Sequence, residues 1–328
     1  MKKVVIYFLL SAVLLPCCGR QEGNVAFVRD FPETGEIEYK AVDYDPTVMD
    51  LMGVSYAGDG LWVVSLYKSE KAFAVLDGDL KELVRFGRMG RGPGELNTPR
   101  FVRMESLRGD SATFLIRDWF IGRLYRMTVS LEDGGLSYGV RDFGESLRAL
   151  YPLPDGRWLI NRESNRYFIL ESDGSRRYFE GWGEDINEAL ESSETYIPDN
   201  QTSEFFNADT TVMIAYSLDY PVLYKHSIDG RLLKKVYVRE NASELREQDG
   251  YYTYFTAGAY VGDNVVLLFC DGRTETSELM VFDGQLEPVI SYQIPYTDDM
   301  AVNRDTGEAV AISFDDEKLY IFDLSRWL

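Results

Sequence analysis

The stretch "GDGLWVVSLYKSEKAFAVLDGD", residues 58–79, contains the unit that decides the fold. A tight turn at Gly58-Asp59-Gly60 leads into the apolar run "LWVVSL" at 61–66, and a second turn follows at Asp77-Gly78. Aspartate and glycine favour such turns because the Asp side chain bonds nearby backbone amides and Gly tolerates positive φ. The pattern predicts short antiparallel strands separated by tight turns.

This unit occurs six times along the chain. The apolar runs are "LWVVSL" (61–66), "TFLI" (113–116), "WLI" (158–160), "VMIAY" (212–216), "VVLLF" (265–269) and "AVAISF" (309–314). A turn signal precedes each run, and an aspartate follows 14 to 20 residues after its start: Asp77, Asp133, Asp173, Asp229, Asp283 and Asp323. The mean spacing between copies is about 49 residues. Four short antiparallel strands repeated at this period are typical of a propeller blade.

The second strand of each copy is continuously apolar, which is expected of a strand buried on both faces between neighbouring blades. The sixth copy stops at Leu328, after its third strand, so its outer strand must come from elsewhere. The segment "GEIEYKAVDYD" (35–45) has suitable alternation. We therefore predict an all-β, six-bladed β-propeller with four-stranded antiparallel blades. It forms a single domain over residues 35–328, and an N-terminal strand at about 36–45 completes the last blade.

The N-terminus is "MKKVVIYFLLSAVLLPCCGRQEG". Two lysines precede a twelve-residue apolar stretch, which is too short to span a membrane and is typical of a secretory signal. Its end, "LLPCCG", resembles a bacterial lipobox, in which a cysteine at the cleavage point is acylated. Cys18 is the expected lipid attachment site because small Cys17 precedes it, and Cys17 is the alternative. A plain signal with two incidental cysteines is the other interpretation.

On the lipobox interpretation, residues 1–18 are a lipoprotein signal peptide and residues 19–34 are a tether between lipid and propeller. The lipid would hold the protein to a membrane of the cell envelope. The outer membrane is the expected location, with the propeller either periplasmic or exposed at the surface.

Composition limits the possible partners. The 328-residue chain has 54 Asp and Glu against 34 Lys and Arg, a net charge of −20, which argues against nucleic acid as a partner. Hydrophobic residues make up 45% of the chain, enough for a large core. Beyond the signal only Cys270 remains, so no disulfide framework is possible, and its apolar neighbours favour a buried thiol.

The segment "GRMGRGPGELNTPRFV" (87–102) raises the possibility of a phosphate-binding loop. No Lys follows the glycines, and Pro99 leads into a strand rather than a helix, so we interpret the segment as a connector between blades. It resembles the inter-blade signature of NHL-type propellers. Together with the lipobox, it is similar to the six-bladed, TolB-like propeller lipoproteins of Bacteroidetes. The resemblance implies the fold and an envelope location, although the other five junctions lack the Gly-Pro-Gly pattern.

Strand direction assigns the connections to two faces. The first and third turns of every blade lie on one face, here called the turn face. The second-to-third loops and the blade junctions lie on the other, the loop face, which receives all the long segments: 87–99, 182–206, 240–255 and 270–278. Elaborated loops on a rigid scaffold are where binding usually occurs.

The loop face is expected to carry arginines and aromatic rings, a combination suited to carboxylate, phosphate or sugar recognition. These candidate ligand-binding residues are Arg88, Arg91, Arg117, Trp119, Arg123, Arg162, Arg166, Trp182, Tyr251 and Tyr252. The alternative is that the arginines pair with local carboxylates such as Asp118 and Glu163.

Signals for enzyme chemistry are weak. The single histidine, His226, is expected to be structural, and neither a zinc site nor a Ser-His or Cys-His nucleophile is supported. We expect no catalytic residue and no cofactor, although calcium is possible: lactonase-like six-bladed enzymes hold a divalent cation at the pore, and the candidates here are Glu105, Asn207 and Asn303. Asp298 and Asp299 are interpreted as solvated loop charges.

The sequence thus predicts a monomeric, envelope-anchored propeller that binds a partner protein or a glycan-like ligand on its loop face. The alternative is a divalent-cation-dependent hydrolase or lactonase that acts at the central pore.

Overall fold

The computed structural model describes residues 24–44, 51–144, 146–161, 167–180, 202–218, 220–239, 254–270, 275–314 and 318–328. These residues form six antiparallel blades of four strands, so the predicted six-bladed β-propeller is confirmed. The expected signal peptide and both candidate lipidation sites, Cys17 and Cys18, lie outside the described residues. No helix in the described ranges is long and apolar enough to cross a membrane.

Blades one to three follow one another in sequence, each with its strands in the order inner, second, third, outer. Blade one comprises β4 (Leu51–Gly58), β5 (Leu61–Leu66), β6 (Lys71–Leu76) and β7 (Glu82–Arg88). Blade two comprises β8 (Pro99–Arg108), β9 (Ser111–Asp118), β10 (Arg123–Ser130) and β11 (Leu136–Asp142). Blade three comprises β12 (Ala149–Pro152), β13 (Trp158–Asn161), β14 (Tyr167–Leu170) and β15 (Arg176–Tyr178).

Blades four to six complete the molecule. Blade four comprises β16 (Thr202–Phe206), β17 (Val212–Ser217), β18 (Val222–Ser227) and β19 (Leu232–Val238). Blade five comprises β20 (Phe255–Val261), β21 (Asn264–Phe269), β22 (Thr276–Phe282) and β23 (Pro288–Pro295). Blade six comprises β24 (Asp299–Val302), β25 (Glu308–Ser313), β26 (Lys318–Asp323) and the N-terminal β3 (Tyr39–Asp43), and a 3₁₀ turn follows at Ser325–Trp327.

The hydrophobic core is divided among the interfaces between blades and does not form one central cluster. In the described part of the chain each pair of neighbouring blades shares one cluster of buried side chains. Between blades one and two, Phe86 stacks on both Phe73 and Phe114 at 5.2 and 5.1 Å between ring centroids. Between blades six and one, Val310 and Ile312 pack in one cluster with Trp62 and Val64 of the first blade. The ring therefore closes because its last blade buries apolar area against its first.

The closing strand has the expected position. β3 pairs antiparallel with β26, from Tyr39 opposite Phe322 to Asp43 opposite Lys318. The Tyr39 ring also packs edge-on against Tyr320 at 5.5 Å. The N-terminal strand thus covers the backbone edge that the incomplete last blade would otherwise expose.

The segment expected to be a tether, 19–34, differs from that expectation in its described part. β1 (Val25–Val28) pairs parallel with β19, and β2 (Glu33–Glu36) pairs parallel with β23. Phe31, between them, is buried and packs edge-on against Phe282 at 5.1 Å. Residues 25–36 therefore form a strap on the outer edges of blades four and five, because their apolar side chains and backbone groups find partners there.

Five of the six repeating aspartates, all except Asp229, accept backbone amide hydrogens in the turn that follows them. Asp77 Oδ1 accepts hydrogen bonds from the backbone amides of Asp79 and Lys81, and Asp283 Oδ1 does the same for Gln285 and Glu287. The periodic Asp in the sequence therefore marks a local hydrogen-bonding requirement at the third turn of the blade.

Candidate ligand-binding cavity

A cavity of about 550 Å³ lies where the inner strands of the six blades meet around the axis. Its walls are formed by the first residues of the inner strands, such as Val54, Arg100, Ser203 and Thr256, and by residues at the ends of the second strands, such as Arg117. Inner strands begin and second strands end at the loop face, so the cavity opens on that face. Its size is in the range of small-molecule binding sites.

Arg117 is the central cationic group of the cavity. It lies at the end of β9, one residue before the buried Asp118. Its Nε and Nη1 atoms are buried, and no acceptor in the described ranges hydrogen-bonds to them. Buried N–H groups without acceptors are energetically unfavourable, and an anion placed beside them would relieve that cost.

Asp118 does not neutralise Arg117, contrary to the alternative raised by the sequence. The Asp118 carboxylate accepts hydrogen bonds from the backbone amides of Asn97 and Thr98 at 2.7 and 3.1 Å and from Thr98 Oγ1 at 3.0 Å. Because it is fully buried, these bonds attach the blade junction to the end of β9. Asp118 thus holds the loop that positions Trp119, whose backbone amide lies 3.3 Å from the Thr98 carbonyl oxygen.

Two further arginines, Arg100 and Arg148, line the cavity, and the sequence prediction missed both. Arg100 is the second residue of β8, and Arg148 directly precedes β12. Burial lowers the pKa of the Arg100 guanidinium, the charge of Arg117 lowers it further, and Asp299 opposes both effects. The sequence could have indicated both residues, because each lies at the start of a predicted inner strand and such positions border the axis.

Glu204 lines the same cavity and interacts with the charge of Arg117. Tyr167 donates its hydroxyl hydrogen to Glu204 Oε2, and a bond from Tyr151 also reaches the Glu204 carboxylate. Burial raises the pKa of Glu204, whereas Arg117 and the two tyrosine hydroxyls favour the charged form. Burial, followed by the charge of Glu204, raises the pKa of Tyr151, so this hydroxyl remains a hydrogen-bond donor.

Asp299 and Asp298 were expected to be solvated loop charges, and this expectation was wrong. Asp299 Oδ2 accepts a hydrogen bond from Val54 N and Oδ1 accepts one from Met300 N, each at 2.9 Å. Asp298 Oδ2 accepts one from Phe314 N at 2.7 Å. Burial raises the pKa of Asp299 to about 7, while the Val54 and Met300 amides oppose the shift. Both carboxylates line the cavity and hold the start of the sixth blade.

Of the predicted loop-face residues in the described ranges, the structure brings together Arg117 and Trp119 in the cavity. Arg88 is exposed, and its Nε lies 3.4 Å from Glu95 Oε1. Arg123 is paired with Asp142 at 3.0 Å on the two outermost strands of blade two, and Arg91 is exposed in the junction loop. The others lie outside the described residues: Arg162, Arg166, Trp182, Tyr251 and Tyr252.

The three cation-site candidates lie apart from one another. Glu105 Oε2 is 2.5 Å from Arg126 Nε. Asn207 Oδ1 accepts the amide hydrogens of Thr211 and Val212, and Asn303 Oδ1 accepts that of Asp305, so both asparagines cap first turns on the turn face. None of the three lines the axial cavity.

His226 and Cys270 have structural environments. His226 is fully buried, with Nε2 3.0 Å from the Glu180 carbonyl oxygen, and burial lowers its pKa to about 4. Cys270 is buried with its Sγ 2.9 Å from the Thr297 carbonyl oxygen, and burial raises the pKa of this thiol. Neither side chain lines the axial cavity.

The glycine-rich segment forms a connector, as interpreted from the sequence. Glu95 Oε2 accepts the Gly92 amide hydrogen at 2.7 Å, and Leu96 is fully buried beneath the loop. β8 begins directly at Pro99. The carboxylate of Glu95 therefore occupies the position that an anion bound by the Gly92 amide would need.

No protein-family model matches the chain, and no curated protein sequence is similar to it. Solved structures of similar shape include an auxiliary nutrient binding protein from Bacteroides thetaiotaomicron, with 10% identity, 89% of this chain and 75% of that chain covered, and a TM-score of 0.53. YCF48 bound to D1 peptide has 12% identity, 89% and 99% coverage and a TM-score of 0.50. A member of the DUF4221 family from Bacteroides vulgatus has 12% identity, 90% and 98% coverage and a TM-score of 0.49. At these identities the similarity shows the fold, a β-propeller shared with Bacteroides proteins.

Proposed function

We propose that this chain is a binding propeller of the bacterial cell envelope, and that its ligand enters the axial cavity from the loop face. The observation that carries the proposal is the Arg117 guanidinium in the cavity wall, whose buried Nε and Nη1 atoms have no acceptor among the residues that the structure describes. Trp119 lies beside it and offers an aromatic surface. A rigid ring of blades with a concave, polar centre suits binding of a preformed ligand.

The structural neighbours support the proposal by analogy of fold. The Bacteroides thetaiotaomicron protein is described as nutrient binding, and YCF48 was solved with a peptide. We infer that the present chain likewise binds rather than transforms its ligand, and that it does so as a monomer. A glycan-like molecule and a segment of a partner protein are the two ligand types to be compared.

Binding can be tested with purified protein on glycan and peptide arrays. Ser55 lies in the cavity wall, so Ser55→Trp should fill part of the cavity and abolish binding of the array ligands. Ser172→Trp is the matched control, because Ser172 is exposed in a turn between β14 and β15 on the turn face. Equal binding by both variants would contradict a cavity site.

We also propose that the chain is a lipoprotein of the TolB-like or NHL-like propeller type, acylated at Cys18 and held in the outer membrane. The support is the lipobox-like end of the apolar N-terminal stretch and the Gly-Pro-Gly junction. In a bacterial host fed labelled palmitate, the wild type and Cys17→Ser should incorporate label, whereas Cys18→Ser should not. Label retained by Cys18→Ser and lost by Cys17→Ser would move the attachment site to Cys17.

The hydrolase alternative requires oxygen ligands for a divalent cation at the axis. In the described part of the cavity, Asp298, Asp299 and Glu204 already accept hydrogen bonds from protein donors. Coordination by these groups would require them to exchange those donors for a metal. The alternative predicts that added Ca²⁺ raises the melting temperature, which a thermal-shift titration measures directly.

A further inference from the structure

We propose that the cavity ligand is an acidic saccharide, whose carboxylate lies against Arg117 and whose ring hydroxyls meet the hydroxyl-bearing wall of the cavity. This inference rests on the proposed function and adds the chemical class of the ligand. It follows from the unequal distribution of charge, hydroxyl groups and aromatic surface around the axis.

The first argument is charge. Two of the arginines, Arg100 and Arg117, lie on blade two, and Arg148 directly precedes the inner strand of blade three. One side of the cavity is therefore cationic. Asp299 accepts backbone amides and Glu204 accepts tyrosine hydroxyls, and no carboxylate in the described ranges hydrogen-bonds the Nε or Nη1 atom of Arg117. Hydrogen-bond donors at Arg117 therefore exceed acceptors, and a guanidinium suits a planar carboxylate in two-point contact.

The second argument is the rest of the lining. Hydroxyl groups face the cavity from several blades, on Ser55, Ser65, Ser203, Thr256, Tyr151 and Tyr216. A polyhydroxylated ring can exchange donors and acceptors with such groups, which both give and accept hydrogen bonds. Trp119, half-buried at the rim, supplies a flat apolar surface for the face of a sugar ring. Tyr151 and Tyr216 also bond Glu204 and the Thr256 carbonyl oxygen, but an apolar ligand would offer no hydrogen-bonding group to any part of this wall.

The third point concerns a phosphate group as the alternative anion. Glu204 interacts with the charge of Arg117, and Asp299 interacts with that of Arg100. A dianionic phosphate would meet twice the attraction of the arginines and twice the repulsion of these carboxylates, so charge alone does not rank it against a monoanionic carboxylate. The hydroxyl-bearing wall and Trp119 are what favour a sugar acid, and the test therefore includes a sugar phosphate.

The test is calorimetric titration of the purified protein at pH 7.5 with five probes: digalacturonate, trigalacturonate, the neutral galactose disaccharide, galactose 6-phosphate and a tripeptide with a free carboxylate. We expect the uronates to bind at least ten times more tightly than the neutral sugar, and more tightly than the phosphate and the peptide. Equal affinity for uronate and neutral sugar, or tighter binding of the phosphate or the peptide, would overturn the inference.

Variants of Arg117 test where the carboxylate of the ligand binds. Arg117→Gln should weaken uronate binding at least tenfold, and Arg117→Lys should restore part of it because the charge returns without the fork geometry. Arg88→Gln is the control, since Arg88 lies on the same face but pairs with Glu95 outside the cavity. Unchanged uronate affinity in a folded Arg117→Gln protein would overturn the assignment. The comparison of acidic with neutral sugars on the wild type decides the ligand class even if Arg117→Gln does not fold.

The cavity variant Ser55→Trp distinguishes this inference from the proposed function. If no uronate binds but Ser55→Trp blocks another array ligand, the acidic-saccharide inference fails and the cavity remains a binding site. If Ser55→Trp alters the binding of no ligand, the proposed function itself fails.

Discussion

At the scale of single residues, two buried titratable side chains give the protein opposite pH dependences. Asp299 has a pKa raised to about 7, because burial outweighs its two backbone hydrogen bonds. His226 has a pKa lowered to about 4, because burial outweighs its contact with the Glu180 carbonyl oxygen. Each shift links protonation to folding, and the sign follows from which state holds the proton more tightly.

Asp299 should make the protein less stable as pH rises. Its folded pKa lies above the ordinary value for an aspartate, about 4, so between about pH 4 and 7 the folded state binds more protons than the unfolded state. The contribution of Asp299 is therefore fully present below about pH 4 and is lost as pH rises through 7. In urea unfolding from pH 4 to 8, the free energy of unfolding of the wild type minus that of Asp299→Asn should fall as pH rises, and this difference separates Asp299 from the opposite effect of His226. Exposed Asp110→Asn should keep the wild-type slope, and a wild-type slope in Asp299→Asn would contradict the prediction.

His226 should make the protein less stable as pH falls. Its folded pKa lies below the ordinary value for a histidine, about 6.5, so the unfolded state binds more protons between about pH 4 and 6.5. The free energy of unfolding then falls as pH falls through this window. His226→Gln should lose this acid sensitivity while retaining a donor for the Glu180 carbonyl. The same urea series measures it, and an unchanged acid slope in the variant would show that His226 is not responsible.

At the scale of elements, the connections between strands organise the cavity. The junction before β8 is attached through Asp118, which orders the end of β9 beside Arg117 and Trp119. Third turns such as that at Asp283 are capped by the aspartate repeated in the sequence. These caps are short-range bonds on the turn face.

Loss of the Asp118 carboxylate should destabilise the protein and loosen the cavity. Asp118→Ala removes a fully buried acceptor of three hydrogen bonds, and the expected cost is about 2–4 kcal/mol of unfolding free energy. Asp118→Asn keeps one acceptor oxygen, so its free energy of unfolding should fall by less. Chemical denaturation gives both values, and a cost under about 0.5 kcal/mol for the alanine variant would contradict this role.

Capping by the repeated aspartates predicts a smaller effect. Asp283→Ala leaves the amides of Gln285 and Glu287 without their side-chain acceptor. Because the turn is exposed, water replaces the acceptor in part, and the expected loss is about 1 kcal/mol. Asp283→Asn retains Oδ1 and serves as the control in the same denaturation experiment. Equal losses in both variants would implicate the charge rather than the cap.

At the scale of the whole molecule, the N-terminal segment contributes two structural features, a closing strand and a strap. β3 completes blade six, whereas β1 and β2 lie on the outer edges of blades four and five, which already have four strands of their own. Besides the packing of blade six on blade one, closure of the ring depends on β3, which pairs the N-terminal part of the chain with β26 and covers its open edge. The strap adds buried contacts at Val28 and Phe31 but closes nothing.

Two truncations separate these roles. A chain that begins at Glu38 lacks the strap and should remain folded with a lower melting temperature, since burial of Val28 and Phe31 contributes about 1.5–3 kcal/mol for each side chain. A chain that begins at Asp45 also lacks β3 and should lose cooperative unfolding. Thermal melts followed by circular dichroism compare the two, and a cooperative melt from the shorter chain would contradict closure by β3.

The blade count, the period and the closing strand were determined by the sequence alone, because Asp-Gly turns and apolar runs are local signals that each blade repeats. The composition of the cavity was decided only by the tertiary structure. Val54 and Asp299 are 245 residues apart in the chain, yet Asp299 Oδ2 accepts the Val54 amide hydrogen. Arg100, Arg117 and Glu204 come from three separate strands and share one cavity because the ring is closed. A closed ring brings distant residues to one axis, and no periodic pattern along the chain specifies which side chains will meet there.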